Sequence, residues 1–183
     1  IAFTEDNAVA FNRDLAFGSS GTFTDGDLFA GTATNITNTG FHRTPSEIAR
    51  KDRIVNQTMG GNIAYESKDK NLLAGLTAVY SDFGLTLNRD SSDYNQFEFR
   101  GTNNLVLGAH YSYNWQNFNF FGEIGRSSSG GIGMLHGMVA SLSTTVQFSA
   151  LYRKFDKDFH TFYGTAFSEY SRNINEEGLY IGF

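Results

Sequence analysis

Asn104-Leu105-Val106-Leu107-Gly108-Ala109-His110-Tyr111-Ser112-Tyr113-Asn114 decides the fold class. Its odd positions are Leu, Leu, Ala, Tyr and Tyr; its even positions run Val, Gly, His, Ser and Asn. That is period two, which a strand with one apolar face requires and a helix cannot use. Four residues on, the pattern resumes with Phe118, Phe120, Gly122 and Ile124 on one face and Asn119, Phe121, Glu123 and Gly125 on the other. Folding the two runs about Asn114-Trp115-Gln116-Asn117 predicts a hairpin with Tyr113 opposite Phe118, Tyr111 opposite Phe120 and Leu107 opposite Ile124. Ser112 then meets Asn119 and Gly108 meets Glu123, so apolar faces apolar and polar faces small.

The same test succeeds at two more turns. Around Ser67-Lys68-Asp69-Lys70, Tyr65 is set opposite Leu72, Ile63 opposite Ala74 and Glu66 opposite Asn71. Around Ser143-Thr144-Thr145, Leu142 is set opposite Val146, Ala140 opposite Phe148 and Ser141 opposite Gln147. This last register carries His136 onto the apolar face opposite Tyr152, so either that histidine meets a polar boundary or the register slips by one. The three turns are short, and the connections between them are polar and mostly longer: 37–57, 88–94 and 156–177, with 127–130 the short exception. Thr44-Pro45-Ser46-Glu47 is a capping box with proline at the first helical position. It predicts a short helix in the 40–57 loop, running on through Ile48, Ala49, Ile54 and Val55.

Composition bounds the rest. The 183 residues hold 14 basic and 19 acidic side chains, a net charge of −5, which argues against a nucleic-acid surface. With no cysteine there are no disulfides or thiolate metal sites. One proline stands beside 20 glycines and 18 phenylalanines, a poor recipe for helices. No run approaches the roughly 18 apolar residues of a membrane helix. Ile1 opens without a positively charged leader, so a signal peptide is read as removed or as lying outside this chain.

A secreted sandwich, a lipocalin-like barrel and a membrane barrel all show alternation. The second face chooses between them. It carries Gly, Ser, Asn, His and Glu around the first turn, with Gln147 and Arg153 in the next pair, while most charge sits in loops. A polar lumen has that character; a soluble surface would place more Lys and Glu on the strands. The nine residues 105–113, at about 3.3 Å each and tilted about 40°, rise roughly 23 Å, against an apolar band of about 25 Å. Tyr65, Tyr113, Trp115 and Phe118 cluster beside the short turns; Tyr80, Phe83, Phe97, Phe99, Tyr152 and Phe155 fall towards the opposite ends, as two interfacial belts would. The expectation is an all-β, antiparallel up-and-down transmembrane barrel spanning 1–183. About seven strands follow Gly60 and two or three precede Gly40, which allows a small complete barrel or an excerpt of a larger one.

A resemblance adds to this. Phe41-His42-Arg43-Thr44 with Glu47-Ile48-Ala49, then Phe97-Glu98-Phe99-Arg100-Gly101, Phe121-Gly122-Glu123 and Leu151-Tyr152-Arg153 carry it. So do Tyr163-Gly164-Thr165-Ala166-Phe167-Ser168-Glu169 and Asn175-Glu176-Glu177-Gly178-Leu179-Tyr180. Over roughly its last three quarters the chain resembles the barrel region of the Bacteroidetes outer-membrane helix-hairpin-helix (ComEA-related) domain-containing proteins. The resemblance implies longer relatives, with a small helical domain and more strands. Nothing in this chain is similar to that helical domain, so DNA binding is not implied.

Chemistry-bearing residues are few. His42, His110, His136 and His160 are the histidines. His110 shares the polar face with Ser112, but same-strand neighbours on one face are about 7 Å apart, too far for a nucleophile–base contact. No nucleophile elbow or zinc-binding helix pair occurs. Thr24-Asp25-Gly26-Asp27 and Asp90-Ser91-Ser92-Asp93 could ligate calcium, though neither has the full acidic spacing of a calcium loop and polar loops of this kind are common. Arg43, Arg50, Lys51 and Arg53 form a basic face on the short helix, suited either to lipid phosphates or to water. The lipid-facing set is read as Leu105, Leu107, Ala109, Tyr111, Tyr113, Phe118, Phe120, Ile124, Val146 and Phe148. The lumen polar network is read as His110, Asn119, Glu123, Gln147 and Arg153, serving either as a solute-selecting constriction or as an internal plug of paired charges.

The functional expectation is a non-enzymatic outer-membrane component of an envelope transport or assembly complex in a Gram-negative bacterium. Its expected partners are outer-membrane lipid, lipopolysaccharide and other envelope proteins, with no nucleic acid, cofactor or metal. A porin-like passive channel is the first alternative, and a lipid-modifying or proteolytic barrel enzyme the second.

Overall fold

The computed structural model describes residues 10–11, 18–29, 32–37, 43–52, 54–164, 166–169 and 173–183, with the backbone alone described at 10–11, 18–29 and 34–37. Among these the chain is all-β apart from one six-residue helix, α1 (Pro45–Arg50). Its strands are β1 (Ala10–Phe11), β2 (Gly18–Phe29), β3 (Thr32–Thr37), β4 (Ile54–Glu66), β5 (Leu72–Leu87), β6 (Gly101–Trp115), β7 (Phe118–Ser127), β8 (Ile132–Ser141), β9 (Gln147–Phe155) and β10 (Glu176–Gly182). Seven strands thus begin from Ile54 onward and three precede it. The chain divides into two compact units: Ile1–Phe17, Gly61–Ala78 and Val106–Phe183 form the first, Gly18–Gly60 and Val79–Leu105 the second.

In the first unit β5 to β10 follow one another as antiparallel neighbours, and β1 lies against the end of β4. At the end of the strand order, β10 bonds only to β9 among the described strands. The β8–β9 hairpin has the register read from sequence: Ser141 faces Gln147, Ala140 faces Phe148 and His136 faces Tyr152. Ser143 fixes that turn, its hydroxyl accepting from the amides of Thr145 and Val146 at 3.3 and 3.1 Å.

The β6–β7 hairpin corrects the expectation by two residues. Trp115 faces Phe118, Tyr113 faces Phe120 and Ala109 faces Ile124. The cause is the turn, which is two residues long and not four, with Gln116 at φ 53°. Two-residue hairpin loops need that left-handed backbone. An even shift leaves every side chain on its predicted face, so the pairs change and the faces survive.

The β4–β5 turn also closes further out than predicted, on Ser67 N–H to the Leu72 carbonyl at 2.8 Å. Asp69 organises it. Its carboxylate accepts from the Ser67 hydroxyl (2.5 Å), the Asn71 side chain (2.8 Å) and the Asn71 amide (3.2 Å). These bonds, the Ser67 hydroxyl foremost, hold the Asp69 carboxyl below its ordinary value. A depressed folded-state value means that the contribution is complete above the ordinary carboxylate range and lost as pH falls through the folded value. Comparing acid unfolding of the wild type with Asp69→Ala should show a stability gap near neutral pH that closes in strong acid.

The second unit has a small core of its own. Ala33, Ile54, Phe83 and Leu87 are buried together, and Phe99 packs on Phe83 with ring centroids 5.6 Å apart. Burying side chains as large as Ile54 and Phe83 contributes about 1.5–3 kcal/mol each. Here β2 pairs antiparallel with β3 and with the first half of β4, and a single parallel bridge, Ala33 to Leu87, joins β3 to β5. The up-and-down order therefore runs on from the β4–β5 hairpin, where the second half of β4 pairs with β5.

The capping box on α1 forms as predicted: Glu47 N–H donates to the Thr44 hydroxyl at 3.2 Å and Thr44 N–H returns to the Glu47 carboxylate at 3.2 Å. The helix stops at Arg50, because Asp52 takes a left-handed backbone (φ 54°) and Ile54 and Val55 already belong to β4. The expected 37–57 loop is shorter for the same reason.

Candidate functional site

Registers from β6 to β10 define two faces of the first unit. One carries Leu107, Ala109, Tyr111, Tyr113 and Trp115 of β6. Across the ladders follow Phe118, Phe120, Gly122 and Ile124 of β7, then His136 and Met138, Phe148 and Tyr152, and finally Leu179 and Ile181. Alternation on β4 and β5 adds Ile63, Tyr65 and Leu76. Of the large apolar side chains exposed on this unit's strands, all but Val139 belong to this face. Every predicted lipid-facing residue on a described strand of this unit shares it; Leu105 continues the β6 alternation, and Val146 lies in the turn before β9.

Beside the short turns this face is ringed by aromatics. Trp115 stacks on Phe118 (centroids 5.9 Å), Phe118 on Phe120 (6.0 Å), and Phe148 meets Phe183 (5.3 Å). Of the six aromatics expected to form a second belt, Tyr152 lies on the apolar face and Phe97 is exposed, but three turn inward. Phe83 and Phe99 pack in the second unit's core, and Phe155 is buried against Phe159 at 6.3 Å. Instead Arg126, Lys154 and Glu177 bound the apolar face at that end of β7, β9 and β10.

His136 sits on the apolar face with no slip in register. Its partner comes from two strands away: the Tyr111 hydroxyl lies 3.3 Å from His136 Nδ1, the two rings reaching across Gly122. A Cβ at Gly122 would overlap both His136 and Tyr111. Gly122→Ala should therefore cost about 1–3 kcal/mol by forcing these rings aside. Adding His136→Ala should restore most of the loss, as equilibrium unfolding of both variants will measure.

The opposite face mixes small and polar residues (Gly108, His110, Ser112 and Asn114; Asn119, Glu123 and Gly125; Gly133 and Gly137; Gln147, Ser149 and Arg153; Gly178, Tyr180 and Gly182) with the apolar Phe121, Leu135, Val139, Leu151 and Phe155, and Phe121 and Leu151 close in on Gly137. All five residues of the predicted network lie here; the hydrogen bonds of Asn119 and Arg153 go to residues outside that set, while His110 and Glu123 face each other. Asn119 donates to Asn114 (2.6 Å) and Ser112 (3.3 Å). His110 faces Glu123 across the hairpin, its ring lying over Gly75, whose Cβ would come within 2.5 Å of it. Gln147 is exposed at the end of β9.

Arg153 is the best-held residue of this face, its side chain 1% exposed. It pairs with Glu176 on β10 and, at 3.1 Å, with Glu169 of the 156–175 connection. It also donates to the Phe167 carbonyl at 2.9 Å. Its guanidinium lies 4.8 Å from the Tyr180 ring centre and 5.5 Å from that of Phe167. The Tyr180 hydroxyl closes the ring of contacts on Glu169 at 3.1 Å.

The same connection is pinned a second time. Phe159 lies over Gly125 and Gly133, where a Cβ would strike its ring. Ser129 donates to the Asp158 carbonyl at 2.6 Å, and the His160 amide donates to Ser127 at 3.3 Å. Glu169, Glu176, Phe159, Phe167 and Tyr180 escaped the reading of the sequence. The available signal was four aromatics, Phe159, Phe162, Tyr163 and Phe167, inside a stretch read as a polar loop.

At the candidate calcium stretch 90–93, protein groups do the organising. Asn95 accepts from Ser92 N–H (2.8 Å) and donates to the Asp90 carbonyl (2.9 Å), while Arg100 reaches the carbonyls of Arg89, Gln96, Glu98 and Asn95. Among the described residues no three His, Asp or Glu side chains gather as metal ligands. Arg43, Arg50 and Lys51 are exposed around α1. His42, Arg53 and the side chains of 24–27 lie outside the described residues. No helix is long and apolar enough to cross a membrane, which says nothing of strands. No family model, curated protein or solved structure matches the chain.

Proposed function

We propose that this chain is an integral outer-membrane β-barrel region of a Gram-negative bacterium, acting without catalysis as the membrane-embedded part of an envelope transport or assembly complex. One observation carries the membrane reading: the large apolar side chains exposed on the first unit's strands crowd onto one face, from Ile63 and Leu76 through Leu107 and Tyr113 to Leu179 and Ile181. Soluble monomers rarely expose a contiguous apolar patch above a few hundred Å². Hydrocarbon solvates such a face, and strands cross it with alternation alone. Aromatic rings beside the short turns fit the headgroup layer. Likeness to the Bacteroidetes helix-hairpin-helix barrel proteins points the same way.

The scaffold reading is preferred to a channel because the polar face is not bare: the described residues 156–164 and 166–169 lie across part of it, fastened at Arg153 and at Ser127. The non-enzymatic reading rests on the sequence, in which His110 and Ser112 are same-face neighbours on one strand, about 7 Å apart.

Membrane fractionation followed by native mass spectrometry of gently solubilised complexes tests this. The expected result is a protein that stays in the outer membrane through an alkaline carbonate wash and is released with other envelope proteins. Recovery in the soluble fraction overturns the membrane reading. Stable single-channel steps in a planar bilayer replace the scaffold with a pore.

A further inference from the structure

We infer that residues 156–164 and 166–169 form a strap that closes one mouth of the polar face, held shut by the Arg153 latch; this rests on the proposal that the polar face lines a lumen.

The fastening has two independent points. At the first, Arg153 is held between the rings of Tyr180 from the wall and Phe167 from the strap, and it joins the wall carboxylate Glu176 to the strap carboxylate Glu169. Glu169 N–H donates to Glu176 at 2.9 Å, so the strap backbone is engaged as well as its side chain. At the second, Phe159 fills the floor left open by Gly125 and Gly133 and stacks on Phe155. Ser127 lies beneath it, 3% exposed, in contact with Asp158 and His160 of the strap.

The two points differ in kind. Glu169 is 64% exposed at its side chain, whereas Arg153 and Glu176 are buried. The wall therefore keeps its own ion pair if the strap lifts, and only the strap-side half of the latch is lost. A guanidinium that remains paired with Glu176 and stacked on Tyr180 after release costs the wall little, which makes the strap separable from it. Phe159 is buried at one end, while Phe167 at the other stays largely exposed and is held through its carbonyl and its ring on Arg153. Lifting the strap would expose Arg153, Tyr180 and Ser127 to whatever occupies the lumen.

The chain has no cysteine, so single cysteines report cleanly. Three are placed in the protein reconstituted in phospholipid vesicles and probed with a membrane-impermeant sulfonated thiol reagent: Ser127→Cys beneath the strap, Ser149→Cys on the same face at the short-turn end, and Leu107→Cys on the apolar face. Each is measured with the native strap and with Phe159→Ala, Phe167→Ala and Glu169→Gln combined, which loosen both points by changes confined to the strap so that the wall still folds. With the native strap, Ser127→Cys should react at least tenfold more slowly than Ser149→Cys. Loosening the strap should raise the Ser127→Cys rate about tenfold and leave Ser149→Cys unchanged. Equal rates at the two sites, or a Ser127→Cys rate that ignores the strap changes, overturns the strap. Rapid reaction of Leu107→Cys overturns instead the membrane reading on which the lumen depends, so the two failures are told apart.

Discussion

Leu76→Arg should cost about 2–4 kcal/mol of unfolding free energy in a lipid bilayer, the penalty for a cation near the midplane on the lipid face of a barrel. Leu76 is 61% exposed and sits at the centre of the outward apolar run of β5, between the polar turn at 67–71 and Asp82. Nothing in the folded chain covers it enough for a packing loss of that size. If water bathed this face, the same substitution would fall within about 0.5 kcal/mol of neutral, as surface changes usually do. Depth supplies the internal control. Leu107 pairs with Arg126 and is nearer the charged border, so Leu107→Arg should cost less than Leu76→Arg. Ser149→Arg, on the polar face, should be close to neutral. Denaturant unfolding in vesicles, followed by the fluorescence of Trp115, the chain's one tryptophan, gives all three values. Equal costs at Leu76 and Ser149 would remove the membrane assignment.

The faces were legible in the sequence and the long-range contacts were not, for physical reasons. Side-chain alternation depends only on strand parity, so Leu107 and Ile124 could be assigned to one face even while their register was two residues out. Register itself was legible where the turn chemistry was local, as with Ser143 and its two amide donors, and failed where a left-handed residue shortened the turn, as at Gln116. No composition rule marks Gln116 for that conformation, which glycine or asparagine usually fills. His136 looked like a conflict because its partner, Tyr111, is two strands and twenty-five residues away across a glycine. Phe83 and Phe155 were placed with the interfacial aromatics because propensity gives aromatics to strands without saying which face they take. Arg153 shares the face with Glu123 and Gln147, as the alternation implied, but its carboxylates belong to Glu169 and Glu176, 16 and 23 positions downstream, in a stretch that read as a loop.

Arg153→Met should be the most damaging single change, at about 3–5 kcal/mol. Removing one member of a buried ion pair strands the other, and Glu176, 8% exposed, has no water to turn to. One oxygen of Glu176 and the Nε of Arg153 already lack hydrogen-bond partners among the described residues, so the pair has no spare bonds with which to absorb the loss. The stacking of the guanidinium on Tyr180 and Phe167 goes with it. The two carboxylates should respond very differently. Glu169→Gln should cost no more than about 1 kcal/mol, because its side chain is largely solvated and screened. Combining Arg153→Met with Glu176→Met should recover most of the single-mutant loss, since replacing a whole buried pair by apolar side chains of similar volume is often neutral or stabilising. Urea unfolding of the three variants, compared with the wild type in the same vesicles, measures each term. A double variant as unstable as Arg153→Met alone would mean that the guanidinium acts through its ring contacts and not through Glu176.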